Sequence, residues 1–261
     1  ITLPSHGRWW IDGSLNLPAT GEIPVLSMSA TDELYLLTPD ALANGEAIVS
    51  LIESCVPNVL DAWQTPSVDL ESLLVAIRIA SVGEKLSIES MCPKCEESRE
   101  YDVDLKSLAL RVDPVIWNQQ LLIEGLSFEF RPLNYFHINQ FNQQYFEVRK
   151  KIQQIPDIED LDQKEQLTNQ LMSEYNQLDL KFMIDSISSI RVEDQTVTES
   201  QFIEEFILNS DKRTYSQIRD HVEKLKDTTR FGDINITCSD CNHEYTTGIS
   251  LDYASFFEIS S

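Results

Sequence analysis

Leu86-Ser-Ile-Glu-Ser-Met-Cys-Pro-Lys-Cys95 and Asp233-Ile-Asn-Ile-Thr-Cys-Ser-Asp-Cys241 are two versions of one pattern. In each, apolar residues alternating with polar ones run into a Cys-x-x-Cys pair. Tyr101-Asp-Val-Asp-Leu105 follows the first pair and Thr247-Gly-Ile-Ser-Leu-Asp252 the second. Each unit therefore reads as strand, knuckle, strand. A turn this short points two thiolates at one ion, and two such half-sites supply the four ligands of a closed tetrahedral Zn²⁺ site. The pattern predicts one structural Zn²⁺ per chain on Cys92, Cys95, Cys238 and Cys241. It also makes residues 96–237 an insertion into a split zinc ribbon.

The residue after the second Cys of a knuckle favours a left-handed backbone, which suits Gly; Glu96 and Asn242 stand there instead, and Asn tolerates that conformation better than Glu. Disulfide pairing of the four cysteines is the alternative, although five cysteines in 261 residues are few for a disulfide-stapled scaffold and suit a reducing compartment. Cys55, on a stripe with Ile48, Leu51 and Ile52, reads as a buried inert thiol. A thioredoxin-like role would need a Cys-x-x-Cys opening a helix after a strand, and neither pair precedes a helical pattern. His243 could replace a cysteine ligand, but four cysteines leave it no place.

The chain is long enough for one large domain or two modest ones. No apolar run is long enough for a transmembrane helix, and Ile1-Thr-Leu-Pro-Ser5 lacks the layout of a secretory signal. The missing Met suggests that the numbering begins inside the encoded chain. A net charge of -23 is spread along the sequence and opposes phosphate binding. The densest basic cluster, Arg149-Lys-Lys151, lies among helical glutamines and reads as a solvated face.

Working outward from the knuckles, residues 1–30 form an extended arm, punctuated by Pro4, Gly7, Gly13, Pro18, Gly21 and Pro24. On an extended chain its Trp9-Trp10 pair would face opposite ways, so one can enter the chain's own core while the other stays free; the arm either wraps its own domain or docks on a neighbouring subunit. Residues 31–110 form a helical domain ending in the first half-site. One helix starts at Thr38-Pro39-Asp40 and runs to about Cys55; another runs from near Ser67 to a stop at Gly83. Residues 111–230 form a mostly helical insertion with a β-hairpin about Gly125. Two long helices follow, about 134–154 and 159–188, paired as an antiparallel hairpin. Thr198-Glu-Ser-Gln201 reads as a capping box for a helix to about Asn209, and a last helix spans about 214–227. Residues 231–261 hold the second half-site and a tail. The fold class is α+β.

No residues point to catalysis. His6, His137 and His221 lack partners at ligand spacing, and phosphate loops, nucleophile elbows and His-Glu-x-x-His are absent. Four Cys ligands leave a metal no open position for substrate. The chain therefore reads as a non-enzyme.

Several segments resemble the baseplate hub and hub-assembly proteins of T-even-type contractile-tailed bacteriophages. They are Leu3-Pro-Ser-His-Gly7, Pro24-Val-Leu-Ser-Met28 leading into Leu34-Tyr-Leu-Leu-Thr38, the Cys92-Pro-Lys-Cys95 knuckle, and Cys238-Ser-Asp-Cys-Asn-His-Glu-Tyr245 followed by Phe256-Phe257. The resemblance covers about residues 1–108 and 231–257. Glu96 and Asn242 depart from the family's Gly, and Trp9-Trp10 has no place in its pattern. The resemblance implies a non-enzymatic virion protein of the tail baseplate, at or near the hub, made in the host cytoplasm. Its partners would be other baseplate or hub proteins, met through the Trp9-Trp10 arm and the helical insertion. A non-virion hub assembly factor is the alternative. A zinc-ribbon adaptor for nucleic acid is another; such adaptors usually have basic knuckle tips, whereas here the tips carry Lys94 and Glu96-Glu97 on one side and Asp240, His243 and Glu244 on the other. A zinc-dependent hydrolase is the last.

Overall fold

The computed structural model describes residues 1–109, 117–157, 160–229, 234–248 and 256–257. They form an α+β chain in two compact units, one built from Ile1–Pro114 with Lys226–Ser261 and the other from Val115–Leu225. The expected boundaries at 110/111 and 230/231 fall outside the described residues, as does the strand expected beyond Gly248.

In the first unit the arm is not extended throughout. Residues 4–9 coil into turns, with positive φ at His6 (51°), Gly7 (82°) and Trp9 (64°). A Cβ on Gly7 would meet Leu17 Cδ2 at 2.8 Å, the far end of a side chain that can give way, so it is the positive φ that calls for glycine here. The arm wraps its own unit. Leu3 and Ile23 are buried, Leu15 bridges to Val59, and Leu26 N–H donates to the Cys55 carbonyl.

Helix α1, Ala30–Leu36, was not foreseen. Ser29 and Asp32 close a reciprocal capping box around its first turn. Burial opposes the Asp32 charge, but hydrogen bonds from Ser29 and Ser54 outweigh it and hold the carboxyl below its usual range. The single helix expected from Pro39 to Cys55 is two, α2 (Pro39–Ala43) and α3 (Glu46–Cys55). Gly45, at φ 85°, breaks the ladder between them. Helix α4, Ser67–Ser81, has Leu73, Leu74, Val75 and Ile77 fully buried and is the central helix of this unit. The chain then forms the hairpin β1 (Lys85–Met91) and β2 (Ser98–Asp104), and the short helix α5, Leu105–Ala109.

The second unit holds more strand than its sequence suggests. The predicted hairpin is β3 (Leu121–Ile123) and β4 (Leu126–Phe130). Helices α6 (Tyr135–Gln153) and α7 (Leu161–Ser186) follow as the antiparallel pair. Val148, Ile155 and Leu171 form its small core with Ile152, Leu167, Tyr175 and Leu178. Tyr145 donates to Asp179 across the pair at 2.5 Å. The helix expected to reach 188 ends at Ser186, where β5 (Ile187–Val192) and β6 (Gln195–Val197) begin.

The result is a four-stranded antiparallel sheet in the order β3-β4-β5-β6. Its buried face carries Phe128, Phe130 and Ile190, with Phe206 and His221 packed on the two phenylalanines. The face with Ser127, Glu129 and Arg191 is polar, with Glu129 accepting from Gln120, Ser189 and Arg191. Helix α8, Ser200–Asn209, lacks the expected capping box; its N-cap is Glu199 and no side chain caps it. Helix α9, Lys212–Asp227, starts earlier than expected because Asp211 accepts from the N–H groups of Arg213 and Thr214. The chain closes with β7 (Ile234–Thr237) and β8 (Glu244–Thr247), a second two-stranded hairpin within the first unit.

Candidate metal centre

The two knuckles have the same backbone. In the first, Glu96 N–H donates to the Cys92 carbonyl and Cys92 N–H to the Glu97 carbonyl. In the second, Asn242 N–H donates to the Cys238 carbonyl and Cys238 N–H to the His243 carbonyl. Both turns put the residue after the second Cys in the left-handed region, Glu96 at φ 59° and Asn242 at φ 53°. The sequence argument for glycine there is therefore correct in its physics, and the chain carries the strain. Glu96→Gly is expected to raise stability by up to about 1 kcal/mol by relieving a Cβ clash. Asn242→Gly should gain less, because Asn accepts the conformation. Thermal melting of the two variants in the metal-loaded protein checks the order.

The four thiols converge. All four sulfurs lie within 4.8 Å of one another. Cys92 Sγ is 3.7 Å from Cys241 Sγ, and Cys95 Sγ is 3.6 Å from Cys238 Sγ. Each close contact joins one knuckle to the other. A tetrahedron with metal–sulfur bonds of about 2.3 Å has edges of about 3.8 Å, so these separations fit a single ion. A disulfide would need about 2.05 Å, and all five cysteines are free thiols. The donor set thus fits a soft, tetrahedral divalent ion.

Further contacts support the arrangement. Cys92 and Cys238 are fully buried, while Cys95 and Cys241 are partly exposed. The N–H groups of Cys241 and Asp240 point at the Cys238 sulfur and pull its thiol down to about 6. The Glu97 N–H aimed at Cys95 is outweighed by burial and the crowd of thiols, which push Cys95 up to about 12. Burial, with Tyr245 and Cys238 as neighbours, pushes the Tyr101 hydroxyl up to about 12. Besides the thiols and the Tyr101 ring beside Tyr245, polar contacts tie the hairpins together. Tyr245 Oη donates to Ser90 Oγ at 3.1 Å, and Arg99 Nε pairs with Asp240 at 3.1 Å. Sequence reading passed over Arg99, Ser90 and Tyr245, because only the meeting of the hairpins makes them partners.

The other singled-out residues stay apart from this centre. His243 stacks on Tyr245 with ring centroids 6.4 Å apart, and among the described residues only the four cysteines form the group. His137 contacts Asn134, and His221 lies on Phe130 with its Nε2 buried and unpartnered. Burial also lowers the His221 pKa. Cys55 is buried beside α1, where burial and then Asp32 push its thiol up to about 11, as expected of an inert cysteine.

The residue that sequence reading missed is Asp69, fully buried on α4. Its carboxylate accepts from Ser5 N–H at 2.8 Å, from the Ser5 hydroxyl, and from the Trp10 indole N–H at 2.7 Å. This explains Ser5 in Leu3-Pro-Ser-His-Gly7 and assigns Trp10 to the chain's own unit. Trp9 is partly exposed, with the Arg8 guanidinium 5.1 Å from its ring centroid.

Among the described residues no helix is long and apolar enough to cross a membrane. A family model described as T4 bacteriophage base plate protein matches residues 15–258. No curated protein and no solved structure matches the chain.

Proposed function

We propose, since the chain belongs to the T4 bacteriophage base plate protein family, that it is a non-enzymatic structural component of a contractile phage tail baseplate, at or near the hub. One Zn²⁺ held by Cys92, Cys95, Cys238 and Cys241 closes its fold. The observation that carries this reading is the convergence of four thiols from two distant hairpins in a chain of that family. Four sulfurs complete a tetrahedron and leave no position for a reacting water, so the ion would serve as a clasp. The resemblance of the chain's two ends to hub proteins supports the finer placement.

The four sequence segments then divide the work: the arm (1–30) and the helical domain (31–110) with the closing half-site (231–261) make the clasped body, and the insertion (111–230) offers further surface. Partners are other baseplate or hub proteins, met in the host cytoplasm during assembly and kept in the virion tail. The knuckle surface weighs against nucleic acid, because Arg99 is engaged by Asp240 and Glu97.

Quantitative mass spectrometry of purified particles tests the reading. The chain should appear in a fixed ratio to other baseplate proteins, with about one zinc per copy. A chain abundant in infected-cell lysate and missing from particles would overturn it in favour of a hub assembly factor.

A further inference from the structure

Residues 9–84 contain eleven carboxylates, no lysine, and a single arginine. That arginine, Arg78, is only 1% exposed, so no cation from this segment reaches the surface. Helices α1 and α2 pack on α3 at this surface. Leu34 and Leu37, three residues apart and so on one side of the turn, are 68% and 58% exposed. Glu33, Asp40 and Glu46 are exposed around them. Tyr35 Oη contacts Glu46 at 3.4 Å, which places that carboxylate beside α1. Among the described residues none of these three carboxylates is in an ion pair.

From this arrangement we infer that the α1–α2 face is a docking surface for a cationic, partly apolar segment of another baseplate protein. The inference rests on the structural reading above. Exposed leucines supply area to bury, and unpaired carboxylates of one sign supply a field that draws in and orients lysine and arginine side chains. A second copy of this chain is a poor occupant: a twofold contact would bring the same carboxylates face to face. Phosphate-rich partners are repelled for the same reason.

Photo-crosslinking residues placed at Leu34 and, separately, at Leu37 of the full chain would read the neighbour directly in purified particles. Crosslinks to a lysine- or arginine-rich segment of another baseplate protein are expected. The double variant Glu33→Lys with Asp40→Lys should melt within a few degrees of wild type, since both side chains are exposed and only the charge–dipole interaction in the first turns of α1 and α2 is reversed, yet enter particles at least tenfold less. Crosslinks to a second copy or to a segment without net positive charge would overturn the inference, as would normal incorporation of the double variant. A chain present in particles but uncrosslinked sinks this inference alone, whereas a chain absent from particles sinks the structural reading with it.

Discussion

Cys92→Ser and Cys238→Ser should each abolish zinc binding and leave the first unit unable to hold its fold. The two hairpins β1–β2 and β7–β8 are separate two-stranded sheets, and a lone hairpin is marginal in water. Besides the thiols, the contacts described between them are the Tyr245–Ser90 hydrogen bond, the Arg99–Asp240 pair and Tyr101 against Tyr245. These are worth about 1 kcal/mol each at best. Structural zinc supplies on the order of 10 kcal/mol of folding free energy in small domains, so a bound ion would dominate their association. Elemental analysis should find about one zinc per chain in wild type and in Cys55→Ala, and none in the two ligand variants. Chelation should remove the melting transition of the first unit from wild type, leaving it like the ligand variants. A metal-free chain that stays folded and soluble would refute the clasp.

Asp69→Ala should release the arm at a cost of about 3 kcal/mol. Three donors, Ser5 N–H, Ser5 O–H and the Trp10 indole N–H, would lose their acceptor in a buried site. Each stranded donor costs about 1–3 kcal/mol, offset in part by the carboxylate desolvation that the variant no longer suffers. Proteolysis between residues 1 and 28 should speed up, while the zinc content stays the same. A pH dependence accompanies this. Burial raises the Asp69 pKa above its ordinary value, against the pull of the Ser5 and Trp10 hydrogen bonds. The folded chain therefore holds this proton more tightly than the unfolded chain. The resulting stability is complete below about pH 4, the unfolded value, and declines as pH rises toward the folded value. Measured against Asp69→Asn, wild type should lose ground as pH rises from about 4, and a flat difference would show that Asp69 does not behave this way.

The knuckles were legible because their chemistry is local: Cys-x-x-Cys between alternating residues specifies both strands and ligands. The helices with wide apolar faces were equally clear, α4 above all. What escaped depended on distant partners. Strand β5 continues the apolar stripe of α7 and becomes strand only because β4 offers it a ladder, Phe128 opposite Ile190 among others. Asp69 looks like one more helical carboxylate until Ser5, 64 residues earlier, folds back onto it. The break at Gly45 turned on one positive φ inside a pattern that otherwise favours helix. The alternation that would turn Trp9 and Trp10 to opposite faces needs an extended chain, which the turns over residues 4–9 replace; Trp10 is held instead by its hydrogen bond to Asp69.

The separation of the two knuckles also sets an order of events during synthesis. Cys95 and Cys238 lie 143 residues apart, so the ribosome finishes one half of the clasp long before it begins the other. At about 5–20 residues per second the wait is on the order of ten seconds. All of Val115–Leu225 is synthesised within that interval. A released chain truncated just ahead of Cys238 would carry the whole second unit and an open, half-ligated first one, and the ion would lock the molecule only at the end.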